Sequence, residues 1–262
     1  MPGRIITLTT DFGTIDHFVG VMKGVILGIH PAARIVDISH EVKPFEVSDG
    51  AFTIAQAYRY FPKNTIHVVV VDPGVGSSRR PLLVDAAGQY FIAPDNGVLS
   101  MILAREKARV RHVTSERYFL KPVSRTFHGR DVFSPVAAHL AAGVPAAKFG
   151  PRIDDALRLA FDEPARQGKN CWSGVILKVD RFGNLITNLT AEVSRQASTR
   201  PFALKIGTVT ITRLALTFAD GDAGELFAVA GSSGHLEIAV NQGSAAELLG
   251  CGAGAPVELR IY

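Results

Sequence analysis

One stretch, IHVVVVDPGVGSSRR at residues 66–80, constrains the fold more than any other. Ile66 and Val68 to Val71 are β-branched with no polar alternation, the pattern of a strand covered on both faces, as the central strand of a parallel sheet is. Asp72 stands at its C-terminal end. Pro73 cannot donate to a sheet ladder and stops the pairing, while Gly74 and Gly76 permit a sharp turn with close backbone approach to a ligand. In open α/β sheets, ligands bind at that carboxyl edge. By itself the motif is equally compatible with a tight turn into a helix, carrying Arg79 and Arg80 as a solvated pair.

The same grammar recurs along the first half. Arg4–Thr10 reads as a strand that also ends in an acid and a glycine, Asp11-Phe12-Gly13. Asp16–Ile29 has helical spacing, with Phe18, Val21, Met22, Val25, Ile26 and Ile29 near one stripe. Ala33–Ile38 is a short strand, Ser48–Phe61 a second amphipathic helix, and Pro81–Asp85 with Tyr90–Ile92 a hairpin. Helices are expected at Val98–Lys107 and Val132–Ala142, with a strand at Arg111–Val113. Strands alternating with helices imply an α/β domain with a mostly parallel sheet over residues 1–160.

The pattern changes after about residue 150. Asp162–Asn170, with Pro164, Gly168 and Lys169, reads as a linker (residues 161–170). Beyond it, Gly174–Asp180, Phe202–Ile206, Val209–Ile211, Leu226–Ala230, Leu236–Val240 and Val257–Ile261 are short β-type runs between Gly, Ser and Asn turns. They imply a smaller all-β, barrel-like domain over 171–262.

Composition narrows the function classes. An apolar fraction of 47% and a charged fraction of 20% are those of a globular chain. A net charge of +4 without a basic run gives thin support for nucleic-acid binding. The N-terminus lacks the apolar core of a signal peptide, and no segment reaches the ~18 apolar residues of a membrane span, so a cytoplasmic protein is expected. Cys171 and Cys251 are too few for a disulfide framework and are read as free thiols.

The polar residues near strand ends are Asp11, Asp16, His17, Asp72, Arg79, His128, Arg130 and Asp131. They show no metal-ligand spacing, GxSxG elbow or P-loop, so neither a metal nor another cofactor is expected. Asp72, Arg79 and His128 remain as a set able to hold and polarise a water, because Arg79 stays charged and an imidazole exchanges protons near neutrality. From the residues alone, a structural ion pair beside a satisfied histidine is the favoured reading.

At these residues the chain resembles a known family, the S-adenosyl-L-methionine hydrolases or hydroxide adenosyltransferases, related to the bacterial 5′-fluorinase and 5′-chlorinase. The blocks that carry the resemblance are LTTDFGTIDHFVGVMKGVI, VVVDPGVGSSRRPL, APDNGVLS, TFHGRDVFSPVAAHLA, VDRFGNLITN and SSGHLEIAVNQGSAAELLG, in order along nearly the whole chain. The resemblance implies a homotrimer with sites between subunits, and attack of water or hydroxide on ribose C5′ to give adenosine and L-methionine. It implies that Asp72, Arg79 and His128 activate the water and that Asp11 receives the ribose hydroxyls. Asp180, Phe182 and Asn184 are implied to contact substrate, and Ser232, Glu237 and Val240 to line the adenine side. Phe182 is otherwise readable as β-domain core, and Asn184 after Gly183 as turn chemistry. Two other functions stay in view. A halogenase is disfavoured because an Asp72 carboxylate repels a halide, and a catalytically silent adenosine-binding trimer would share the same blocks.

Overall fold

In the computed structural model, which describes residues 3–161 and 163–262, Ile66–Val70 forms the strand that the β-branched run demands. Ile66 and Val68 to Val71 are at most 2% exposed. Alternation sends them to opposite faces. Ile66, Val68 and Val70 pack with Val19, Met22 and Ile26 of one helix and Val136, Ala137 and Leu140 of another, whereas Val71 lies against Gly50 of a third. Burial of each such side chain contributes about 1.5–3 kcal/mol, which is why this strand sits at the centre. His67 is tolerated in it because Thr7 Oγ1 meets its Nδ1 at 2.7 Å and Gln89 Oε1 faces its Nε2 at 3.3 Å. Burial pushes its pKa down to about 4, so it stays neutral.

Contacts divide the chain into two units, Met1–Ala160 and Phe161–Tyr262. The first contains strands β1 (Ile5–Thr10), β2 (Arg34–Ser39), β3 (Ile66–Val70), β4 (Pro81–Ala86), β5 (Gln89–Pro94), β6 (Ala108–His112) and β7 (Arg152–Ile153). They form one sheet in the order β2-β1-β3-β5-β4-β6-β7. Helices α1 (Phe18–Ile29), α2 (Val47–Ala57), α3 (Ser100–Arg105) and α4 (Ser134–Ala141) cover it.

The sheet is not mostly parallel. Pairs β2–β1, β1–β3 and β3–β5 are parallel, but β5–β4, β4–β6 and β6–β7 are antiparallel. The reversal comes from the turn between β4 and β5, where Ala87 and Gly88 both take positive φ, +55° and +74°. Two left-handed residues match the twist of antiparallel strands and lock the hairpin.

The second unit holds β8 (Ala165–Arg166), β9 (Cys171–Val179), β10 (Leu185–Thr190), β11 (Phe202–Ile206), β12 (Val209–Ile211), β13 (Leu214–Ala215), β14 (Leu226–Ala230), β15 (His235–Val240) and β16 (Pro256–Ile261). Two short helices, α5 (Ala191–Ala197) and α6 (Ala245–Leu249), accompany them. The sheet order is β12-β11-β16-β9-β10-β15-β14-β13, with β8 on β9, and among these strand pairs of the described residues only β13–β14 is parallel. One apolar cluster draws on Phe202 and Ile211 from one arm and on Ala228, Leu236 and Ile238 from the other, so the sheet curls around it. The segment expected as a linker thus contributes β8; Asp162 lies outside the described residues. Cys171 and Cys251 are free. Among the described residues, no helix is long and apolar enough to cross a membrane.

Candidate active site

Two acids stand where neighbouring parallel strands end. Thr10, the last residue of β1, pairs with Val70, the last of β3, so Asp11 and Asp72 leave the same edge of the sheet. The chain after Asp72 then doubles back. Val75 N donates to the Asp72 carbonyl at 3.2 Å, and Ser77 donates to the Gly74 carbonyl through N (3.1 Å) and Oγ (2.6 Å). Gly76 makes this possible, with φ +77° and an α-carbon whose added Cβ would lie 2.2 Å from the Arg125 carbonyl oxygen.

The doubled-back loop returns Arg79 to Asp72. Arg79 Nε donates to Oδ1 at 3.0 Å and to Oδ2 at 2.9 Å, and Nη2 donates to Oδ2 at 2.5 Å. Nη2 also lies 2.6 Å from Nδ1 of His128. The Asp72 and Arg79 side chains are 4% and 8% exposed, and the guanidinium carbon stands 5.3 Å from the Phe133 ring centre. An arginine cannot give up its proton, so Nδ1 of His128 is the acceptor and a neutral ring carries its hydrogen on Nε2. Burial pushes the His128 pKa down, and Arg79 pushes it further; the carboxylates of Asp72 and Asp131 and the Ser124 backbone pull the other way more weakly.

The loop that carries His128 is closed by a residue whose sequence position alone assigns it no role. Asp131 is fully buried. Its Oδ2 accepts from Ser124 N at 2.8 Å and from Arg130 Nη2 at 2.9 Å, and its Oδ1 accepts from Arg130 Nε at 2.6 Å. These bonds close the 124–131 loop over a π-helical turn, Gly129–Phe133, that leads into α4; such turns recur at functional sites. Asp131→Ala is expected to destabilise the protein by about 1–3 kcal/mol, the cost of leaving a buried donor unsatisfied, with loss of activity through His128. Urea unfolding together with the activity of the folded fraction measures both.

The Asp11 side has its own frame. Asp11 Oδ2 accepts from Phe45 N at 2.9 Å, and Phe45 sits at φ +67° with its ring 74% exposed, a strained backbone of the kind held at ligand sites. His40 anchors the same loop, with Nδ1 2.9 Å from Thr10 Oγ1 and its carbonyl accepting from Gly13 N at 2.8 Å. Burial raises the Asp11 pKa, and the charge of Asp72 adds to the rise. Phe12 and Phe127 meet edge to face at 6.0 Å, tying the residue after Asp11 to the residue before His128. The positive φ of Phe45 has no mark in its own residue type, so this loop was not foreseen as part of the site.

In the second unit, Asp180 and Asn184 are bonded to each other. Asp180 Oδ1 accepts from Phe182 N (2.8 Å) and Asn184 N (2.9 Å), and Oδ2 accepts from Asn184 Nδ2 (2.8 Å). Gly183 closes the turn at φ +83°. Phe182 at its tip is 76% exposed and so is not core. Glu237 is buried, with Oε1 accepting from Ser233 Oγ at 3.3 Å; burial raises its pKa, and Asp180 repels its charge. Ser232 is exposed on the turn before β15. Val240 is 5% exposed and packs within the apolar cluster of this unit.

Comparison with known proteins adds an independent line. Residues 6–150 match the SAM hydroxide adenosyltransferase N-terminal domain, and residues 174–258 match the C-terminal domain of the same family. A protein of Salinispora tropica named (R)-S-adenosyl-L-methionine hydrolase is 38% identical over 95% of both chains. A fluorinase of an Actinoplanes species is 30% identical over 90% of this chain and 91% of its own. The crystal structure of an uncharacterized conserved protein from Thermotoga maritima superposes with a TM-score of 0.91 at 38% identity, covering 97% of this chain and 99% of that one. With both halves matched in order and the acid, guanidinium and imidazole in one hydrogen-bonded row, the chain belongs to the SAM hydroxide adenosyltransferase family.

Proposed function

We propose that this protein hydrolyses S-adenosyl-L-methionine to adenosine and L-methionine by attack of an activated water on ribose C5′. The observation that carries the reading is the buried pairing of Asp72 with Arg79, extended to His128 at 2.6 Å. The substrate brings its own activation: the sulfonium departs as a neutral thioether, so no acid is needed at sulfur and the site has only to align and deprotonate a nucleophile. The His128 lone pair is spent on Arg79, so Asp72 is the acceptor for the water proton. Arg79 holds that carboxylate in place, and His128 holds Arg79. Asp11 receives the ribose hydroxyls, two carboxylate oxygens suiting a cis-diol.

Asp180, Phe182, Asn184, Ser232, Glu237 and Val240 belong to the same reading as substrate-side residues. Asp180 orients Asn184 through one N–H and leaves its amide oxygen and second N–H for a ligand, while the exposed Phe182 ring is free to stack. The division into 1–160, a connection over 161–170 and a barrel-like 171–262, assembly as a homotrimer with sites between subunits, and a cytoplasmic setting complete the proposal. The free cysteines support that setting. The hydrolase relative's name specifies the R configuration at sulfur, and the R epimer is therefore the proposed preferred substrate.

Incubation of each sulfonium epimer in ¹⁸O-water tests the reaction. The label is expected in the 5′-hydroxyl of adenosine and not in methionine; methylthioadenosine in place of adenosine would refute attack at C5′. Adenosine bound without turnover would favour a sensor.

The acid side of the pH profile is a further expectation. Protonating His128 at Nδ1 replaces an acceptor with a donor facing a donor, and its pKa lies below the ordinary 6.5. The rate should therefore hold as pH falls through 6.5 and drop only below it, and His128→Gln should remove that limb. A limb centred above 6.5 in kcat/KM measurements would contradict this assignment.

A further inference from the structure

The antiparallel flank of the first sheet brings three arginines to one face. Register places Leu83 opposite Arg111 and Asp85 opposite Arg109 between β4 and β6, and Arg111 opposite Arg152 between β6 and β7. Directly opposed residues of neighbouring strands share a face. Together with Ala146 these side chains line a concavity of about 180 Å³, with the buried Leu83 in its lining. That volume admits several waters, or one tetrahedral oxyanion with part of its hydration.

The charge within it is not balanced. Asp85 Oδ2 pairs with Arg109 Nη2 at 2.6 Å. Arg111 Nη1 donates at 2.9 Å to the Gly150 carbonyl, which carries no formal charge. Among the described residues the Arg152 side chain makes no hydrogen bond or ion pair. Three guanidiniums against one carboxylate leave two positive charges in surplus, with Arg111 and Arg152 directly opposed, an arrangement that disfavours the sheet. A lone charge is enough to keep an edge strand such as β7 from pairing with another chain; two opposed arginines over a concavity exceed that need.

We infer that this concavity binds a phosphate-bearing anion. Arg111 and Arg152 present planar forks that match phosphoryl oxygens. Asp85 opposes an anion on its own side and so confines it toward these two. The site is separate from Asp11 and Asp72, which follow β1 and β3 on the parallel flank.

Titration of the full-length protein at low ionic strength with inorganic phosphate, and in parallel with adenosine 5′-monophosphate, tests this by calorimetry and by thermal unfolding. Phosphate should bind saturably and raise the unfolding temperature. Arg152→Gln should weaken binding about tenfold or more, the scale of one lost charge-assisted contact, while adenosine formation stays unchanged. Arg152→Lys should bind better than Arg152→Gln. Equal affinities for the two ligands would make the phosphoryl group the determinant; a tighter monophosphate that is still sensitive to Arg152 would identify an organic phosphate. Absence of saturable binding, or the same binding in Arg152→Gln, would overturn the site and leave the arginines as edge protection.

Discussion

Replacing Asp72 with asparagine should lower turnover by roughly 10²–10⁴-fold, the range that losing a positioned proton acceptor costs, while adenosine affinity changes little. Asparagine keeps the side-chain volume and one oxygen for Arg79, and it cannot take a proton from water at neutral pH. Alanine is a harsher change. It would leave the Arg79 guanidinium, 8% exposed, without its acid, a loss of about 3–5 kcal/mol for a broken buried pair, so its effect on rate mixes chemistry with stability. Steady-state kinetics, an adenosine titration and a melting curve on the same preparation separate the two. Should adenosine affinity fall in step with the rate in the asparagine variant, Asp72 is a ligand of the substrate and not its activator.

Asp11→Ala should act in the opposite sense, on binding before rate. Two hydrogen bonds from a ribose diol to a carboxylate, at about 1.5–3 kcal/mol each, put the expected loss of adenosine affinity at roughly 10²-fold or more. The variant also frees Phe45 N, which Asp11 Oδ2 holds at 2.9 Å, so part of the loss comes from the loop. Asp11→Asn restores an acceptor for that amide and should recover part of the affinity. Because burial and Asp72 raise the Asp11 pKa, this carboxylate protonates earlier on acidification than an ordinary one. Wild-type adenosine affinity should therefore begin to fall at a pH above the usual carboxylate range, and a dissociation constant unchanged in Asp11→Ala would remove the ribose role altogether.

Strand ends were more legible than strand partners. The run from Ile66 to Val71 announced a doubly covered strand, and Asp11 and Asp72 were placed at carboxyl ends, because a β-branched run and a following Pro or Gly act within a few residues of themselves. The hairpin of Pro81–Asp85 with Tyr90–Ile92 was legible, but not that β6 and β7 extend the sheet antiparallel from it. Only Gly88 signals a left-handed residue from its type; Ala87 takes φ +55° under the pull of the hairpin. Strand β10, LITNLT, is not among the runs expected as strands, and its polar Thr187 and Asn188 interrupt the apolar pattern. Both are buried, since Thr187 Oγ1 donates to the Leu236 carbonyl at 2.6 Å and Asn188 Oδ1 accepts from Val175 N at 2.9 Å.

What the sequence determined by itself was local and periodic: which runs become strands, where proline and glycine stop them, and that two acids stand at strand ends beside glycine loops. Only the tertiary structure decided the chemistry those acids can take part in. It brought Arg79 to within 2.6 Å of His128 across 49 residues of chain, turned Phe45 N toward Asp11, bound Asp180 to Asn184 and set Arg111 opposite Arg152. The physical reason is range. Backbone preference is settled by a residue and its neighbours, whereas the meeting of two side chains depends on strand register and loop closure, which the whole folded unit sets together.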